Sequence, residues 1–313
     1  MNIIISLLLL VLGFYVLFKA ADFFVNSASK LGLKLGISKL ILGLTIVAFG
    51  TSIPELFTGL FSVFFTADFS DFIVGTILGS NITNIFLIFG IFLTIAGSTY
   101  IIKKPRFDLF ILLTVSSYFA IFVYFGYFNY LLLGLLGIYI GYLYYLKVSS
   151  AKDLEQEAEI EVSEIKDSYF KLSIEILISL VFLFFSGKLI IYDIQELGLI
   201  FGVPISVLTL TSVAIATSLP ELAVTISAAR KKETTLLVGN ILGSNIINIC
   251  LIIGLSGLVG TFNIDVTNYF LSLIVFAIAT TLFSIVLFIG KFNRVYGVGF
   301  LIFYALYVLS LFI

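Results

Sequence analysis

The sequence predicts an all-α polytopic membrane protein: ten transmembrane helices arranged as two five-helix repeats of inverted topology. Three observations predict it. The 313 residues are 61% hydrophobic and only 11% charged, with a mean hydropathy of +1.22, more apolar than a water-soluble domain of this length. The basic residues are confined to alternate loops. A short polar phrase also occurs twice, at matching places in the two halves and inside apolar surroundings.

Apolar runs near the ~20 residues that cross a bilayer fall at 3–25, 37–65, 71–98, 107–126, 127–147, 169–192, 204–229, 235–261, 267–290 and 294–313. The first lacks a basic n-region and outlasts the apolar stretch of a signal peptide, so it is expected to be a retained span. The fourth and fifth runs are barely separated, around Gly126-Tyr127-Phe128-Asn129.

Loop charge resolves that boundary. Counted from an outside N-terminus, the inside segments hold Lys30, Lys34 and Lys39; Lys103, Lys104 and Arg106; Lys147, Lys152, Lys166 and Lys171; Arg230, Lys231 and Lys232; and Lys291 and Arg294. These are 15 of the 17 Lys and Arg residues. The other two, Lys19 and Lys188, fall within spans, and Lys19 is expected to snorkel or to pair with Asp22. The outside segments carry Asp68, Asp71, Asp193, Glu196 and Asp265. This positive-inside pattern survives only if the fourth and fifth runs are separate spans. The expectation is therefore ten spans, both termini outside, in the plasma membrane.

The repeat is measurable. Thr51, Pro54 and Glu55 recur as Thr217, Pro220 and Glu221, displaced by 166 residues. A second block, Val74-Gly75-Thr76-Ile77-Leu78-Gly79-Ser80-Asn81-Ile82-Thr83-Asn84, returns 164 residues later as Val238-Gly239-Asn240-Ile241-Leu242-Gly243-Ser244-Asn245-Ile246-Ile247-Asn248. Five spans separate the copies. Because five is odd, the second half, 169–313, enters from the opposite side to the first, 1–147, the arrangement that lets two halves rock about a midplane site. Between them, 148–168 is an acidic stretch, read as a solvated cytoplasmic linker. It lacks the spacing and glycine turn of an EF-hand.

The repeated phrase carries the chemistry. A carboxylate within a span is costly and marks a functional site by default. Pro54 and Pro220 cannot donate to the carbonyls of Gly50 and Ala216, so each kink is expected to turn carbonyl, hydroxyl and carboxylate oxygens into one space. Hard oxygen donors suit Ca²⁺ or Na⁺. The second block adds neutral oxygens from Ser80, Asn84, Ser244 and Asn248, while Gly75, Gly79, Gly239 and Gly243 permit close helix packing. Two ionised glutamates give a charge of about −2, balanced by one Ca²⁺, two Na⁺ or two protons. A site neutralised by either kind of ion, but not both together, is the minimum basis for antiport.

Absences narrow the classes. The chain has no histidine and one cysteine, Cys250, which removes disulfides, the commonest metal ligand and the commonest general base. An intramembrane enzyme is not expected, nor a cofactor. Nothing implies nucleic acid or an obligate protein partner; the lipid bilayer and the transported ions are the partners.

With both motifs in view, Gly50-Thr51-Ser52-Ile53-Pro54-Glu55 and Ala216-Thr217-Ser218-Leu219-Pro220-Glu221, each followed by its Gly-Ser-Asn block, resemble the alpha-repeats of the cation/Ca²⁺ antiporter superfamily, within segments 42–90 and 208–254. Prokaryotic sodium/calcium exchangers are the similar members. The resemblance implies that Glu55 and Glu221 are shared ligands of Ca²⁺ and Na⁺. It further implies oxygens from Thr51, Thr217, Ser52, Ser218, Ser80 and Ser244, carbonyls of Ala48 and Ala214 for Na⁺, and Asn84 and Asn248 beside the carboxylates. The first and sixth spans would be the sliding gate. Several such exchangers carry Asp where this chain has Asn248, so the two glutamates remain the ionisable pair. A Ca²⁺/H⁺ exchanger of the same fold is the alternative, and a cation channel a remoter one.

Overall fold

The computed structural model describes residues 3–56, 69–97, 99–100, 105–128, 130–153, 167–200, 205–258 and 262–311. Among these, helix α1 (Ile3–Lys34) leads to α2 (Lys39–Thr51), whose middle widens into a π turn at Gly43–Val47. Helix α3 runs through Phe69–Ile82, a π turn at Thr83–Phe89, and Gly90–Ala96. Then come α4 (Arg106–Phe125), α5 (Leu133–Asp153), α6 (Tyr169–Ile200) and α7 (Ile205–Arg230). Helix α8 is built like α3: Thr234–Ile247, a π turn at Asn248–Ile253, and Gly254–Ser256. Helices α9 (Phe270–Ile289) and α10 (Arg294–Ser310) close the chain.

The described residues are thus helical apart from four two-residue strands and the connecting turns, and seven of the described helices (α1, α3, α4, α5, α6, α8 and α9) are long and apolar enough to cross a membrane. Their burial sorts them by position. The apolar windows of α3 and α8 are 89% and 94% buried, against 33% for α1 and α6 and 28% for α5. Helices α3 and α8 therefore form the centre. Large side chains such as Val11, Phe125, Tyr144, Phe170 and Val295 face outward, where lipid, not water, is the solvent.

Local signals place the breaks. Gly36, at φ +66°, turns the chain between α1 and α2, and Ser38 caps α2 by accepting from Ile41 N at 3.4 Å. Gly126 and Gly290, at φ +66° and +73°, end α4 and α9 in the left-handed conformation glycine tolerates. These two glycines are 164 residues apart, so the second block's offset extends to the fourth helix of each half.

Strand β1 (Thr99–Tyr100) pairs antiparallel with β4 (Lys291–Phe292), and β2 (Tyr127–Phe128) with β3 (Phe262–Asn263). Each pair joins one half to the other, and exchanging the halves converts one pair into the other. The loops bearing β1 and β4 are both expected inside, those bearing β2 and β3 both outside. Around this frame the core of α3, α9 and α10 is aromatic: Phe89 meets Phe283 edge-on at 4.8 Å and Phe292 at 5.7 Å.

Some details depart from expectation. Helix α5 continues to Asp153, six residues into the 148–168 stretch read as a linker, of which 154–166 lies outside the described residues. Asp22 does not take Lys19 as its described partner. It accepts from Ser227 Oγ at 2.6 Å and lies 4.0 Å from Lys231 Nζ, both on α7 or just beyond it, while Lys19 sits over the Tyr15 ring. Lys188 similarly covers Phe184. At the C-terminal end of α1, Lys171 and Lys30 bind Asp167 at 2.6 and 2.7 Å and hold its carboxyl down to about 2, and Ser27 donates to Glu175 on α6.

Candidate functional site

Ten of the twelve residues singled out in the sequence are Ala48, Thr51, Ser52, Glu55, Ser80, Asn84, Ser218, Glu221, Ser244 and Asn248, and none of them is more than 2% exposed. Ala214 and Thr217 lie in α7, and their side chains fall outside the described residues. The two glutamates are thus buried at the helical centre of an apolar molecule. Burying a charge this way costs several kcal/mol unless counter-charge or hydrogen bonds meet it.

The two motifs meet. Ser52 on α2 donates its hydroxyl to Glu221 Oε1 on α7 at 3.3 Å, linking the phrase of one half to the carboxylate of the other. Thr51 Oγ1 reaches two acceptors, the Ala48 carbonyl at 3.4 Å and Asn240 Oδ1 on α8 at 3.3 Å. The Ala48 carbonyl also receives Ser52 N at 3.0 Å. Helices α2 and α8 touch nearly backbone to backbone: a Cβ on Gly43 would collide with the Leu236 carbonyl and lie 2.9 Å from Gly239 Cα. That is the close approach that glycine permits.

The two prolines act differently. In α2 the helix turns at Ser52 (φ −85°, ψ +5°) and resumes at Ile53, whereas α7 runs unbroken through Pro220. The expectation of two similarly opened helices therefore holds for the first copy only. A proline removes one backbone bond, and a helix wedged between neighbours can absorb that loss by bending.

Oxygen without a partner is concentrated here. Among the described residues Glu221 Oε2, Ser218 Oγ, Ser244 Oγ, Asn248 Oδ1 and both side-chain polar atoms of Asn84 are buried and make no hydrogen bond. None of the described ion pairs includes Glu221. Native cores rarely leave so many polar atoms unmatched in one place, and a cation would satisfy the oxygens. The donors are carboxylate, hydroxyl and amide oxygen, hard ligands for Na⁺ or Ca²⁺. No three His, Cys, Asp or Glu converge among the described residues, so a cation held here would take much of its coordination from neutral oxygens.

Two features escaped the sequence reading. Asn240, Asn81 and Asn245 join the buried polar set: Asn81 Nδ2 donates to the Asn245 carbonyl at 3.4 Å, and Asn248 Nδ2 donates to Asn81 Oδ1 at 3.1 Å. The repetition of Asn81 as Asn245 in the second block was the available signal; Asn240, which stands where the first copy has Thr76, gave none. The π turns at Thr83–Phe89 and Asn248–Ile253 begin beside Asn84 and Asn248. Such widened turns frequently mark functional sites, and no residue pattern announces them.

Comparison with known proteins supplies an independent line. The profile of the family described as sodium/calcium exchanger protein matches residues 5–148 and 172–313. Sodium/calcium exchanger MaX1 of Methanosarcina acetivorans is 32% identical, over 99% of both chains. Inner membrane protein YrbG of Escherichia coli is 31% identical, over 83% of this chain and 82% of its own. In fold, the sodium-calcium exchanger NCX_Mj superposes with a TM-score of 0.82 over 98% of this chain and 99% of that one, at 24% identity.

Proposed function

Since the chain belongs to the sodium/calcium exchanger family, we propose that it is a secondary antiporter that exchanges Na⁺ for Ca²⁺ by alternating access at one shared midplane site. The observation that carries the reading is the Ser52–Glu221 hydrogen bond, because it makes the two repeated motifs parts of a single buried oxygen cluster. In this reading ten spans form two inverted five-helix repeats, and the strand pairs that interchange with the halves support that count. Glu55 and Glu221 bind either ion. Thr51, Ser52, Ser80, Ser218, Ser244, Asn84 and Asn248 complete the shell, with Thr217 and the carbonyls of Ala48 and Ala214 at its edges.

The exchange follows from charge. One Ca²⁺ or two Na⁺ neutralises the glutamate pair, and leaving both carboxylates bare at the centre is costly. The loaded forms are thus the ones that can reorient, which couples the two fluxes. Any Na⁺ carried beyond charge balance adds about 2.3 kcal/mol per charge per 100 mV of membrane potential.

The test is ⁴⁵Ca²⁺ uptake into Na⁺-loaded proteoliposomes with the potential clamped. Accumulation that requires internal Na⁺ is the expected outcome. Uptake driven by a pH gradient without Na⁺ would instead identify a Ca²⁺/H⁺ exchanger. Flux needing no counter-ion at all would identify a channel.

A further inference from the structure

We propose that Asn81, which contacts the site only through a neighbour, is a positioning residue that holds the Asn248 amide with its oxygen turned to the transported ion. The proposal rests on the exchanger reading above for the identity of that ion. The argument follows a chain of donors and acceptors. The Asn245 backbone carbonyl can only accept, so the Asn81 group 3.4 Å from it must be the amide nitrogen. That fixes Asn81 with its oxygen on the other side, facing Asn248. An oxygen there requires a donor, so Asn248 must present its nitrogen, and does so at 3.1 Å. The Asn248 oxygen is left over. It is buried, without a hydrogen-bond partner among the described residues, and one helical turn beyond the likewise unmatched Ser244 hydroxyl.

The same chain of bonds explains the amide at 248. A carboxylate in its place could not donate to Asn81 Oδ1 unless protonated, and would set oxygen against oxygen in a buried site. Asn81 therefore makes position 248 a neutral, oriented ligand.

The contrast with the other half supports this. Asn84, the counterpart of Asn248, has no described bond at either polar atom. Asn245, the counterpart of Asn81, spends its nitrogen on Ile241 O of its own helix at 2.6 Å. Only one of the two equivalent amides is held, and Asn81 holds it.

Equilibrium ⁴⁵Ca²⁺ binding to the purified full-length protein tests the proposal without relying on transport. Asn81→Leu should raise the Ca²⁺ dissociation constant about tenfold, the weight of one buried hydrogen bond. Asn248→Ala should do the same, and the double variant should bind no more weakly than Asn248→Ala alone, because Asn81 acts through Asn248. If Asn81→Leu does not assemble, Asn81→Ser, polar but too short to bridge, takes its place with the same expectation.

Effects that multiply in the double variant overturn the proposal, since Asn81 would then act independently of Asn248. So does an unchanged constant in the Asn81 variant. A wild type that binds Ca²⁺ but fails to exchange it for Na⁺ sinks the antiport reading and leaves the Asn81 test intact.

Discussion

Gly75 and Gly239 occupy the same place in the two halves, yet they do different jobs. Among the described residues a Cβ at 75 would meet the Tyr269 ring at 3.6 Å, an ordinary contact, whereas one at 239 would lie 2.5 Å from the Leu40 carbonyl and 3.0 Å from Gly43 Cα. The same inequality runs through the site. Helix α2 breaks at Ser52 where α7 continues through Pro220, and α2 has a π turn at Gly43–Val47 where α7 has none. Asn248 is held and Asn84 is not. A repeated sequence thus specifies two equivalent sets of polar residues without specifying equal geometry. In an alternating transporter that difference is expected, because the halves of an inverted repeat adopt different conformations in any one access state.

The sharpest way to break the comparison is at the carboxylates. Glu55→Gln and Glu221→Gln should each reduce Na⁺-dependent ⁴⁵Ca²⁺ uptake to background, because either change leaves about one negative charge against a divalent ion. If only one variant fails, the two halves do not share the ion. Next in size is the glycine pair. Gly239→Ala should destabilise the protein by about 1–3 kcal/mol through overpacking, and Gly75→Ala by less than about 0.5 kcal/mol, read from thermal unfolding in detergent.

The prolines come third. Pro54→Ala, at the turn, should lower the maximal exchange rate about tenfold by letting α2 straighten, against less than about threefold for Pro220→Ala in a helix that already runs on. Equal effects would mean that the break at Ser52 belongs to the site and not to its neighbour. The smallest effect lies away from the site. Lys171 and Lys30 hold the Asp167 carboxyl at about 2, below the usual value of about 3.9. Its contribution is present above the unfolded value and is lost as pH falls toward 2. Asp167→Asn should therefore change the unfolding temperature only slightly at pH 7, and not at all near pH 2, since an exposed pair contributes little.

Most of the architecture was legible because a bilayer enforces simple rules. Hydropathy located the helices, and loop charge separated α4 from α5 where hydropathy could not. The structure places a left-handed glycine, Gly126, and strand β2 at that boundary. The candidate site residues stood out because buried carboxylates are rare, and Glu55 and Glu221 are both buried. The rest was hidden for physical reasons. Whether a proline breaks or merely bends a helix depends on its packing, and Pro54 and Pro220 stand in the same phrase although the helix turns beside the first and runs on through the second. The roles of Asn81 and Asn240 depend on which side-chain atom faces which neighbour across α3, α8 and α2. The partner of Asp22 proved to be on α7, more than 200 positions away in sequence, beyond the reach of any local pattern.

The four short strands have a mechanical consequence. They fasten the two halves at both rims with backbone hydrogen bonds, so α3, α4 and α5 are hooped to α8, α9 and α10. A force that tried to spread the halves would load both rims at once, which makes a clam-like hinge an unfavourable mode. Among the described residues helices α1 and α6 carry no strand, and they lie against each other, pinned at the C-terminal end of α1 through Asp167 and Glu175. They can travel together along the hoop without unfastening it. The covalent linker is then not what keeps the halves together: a chain cut within 154–166 should still assemble and still carry its ions.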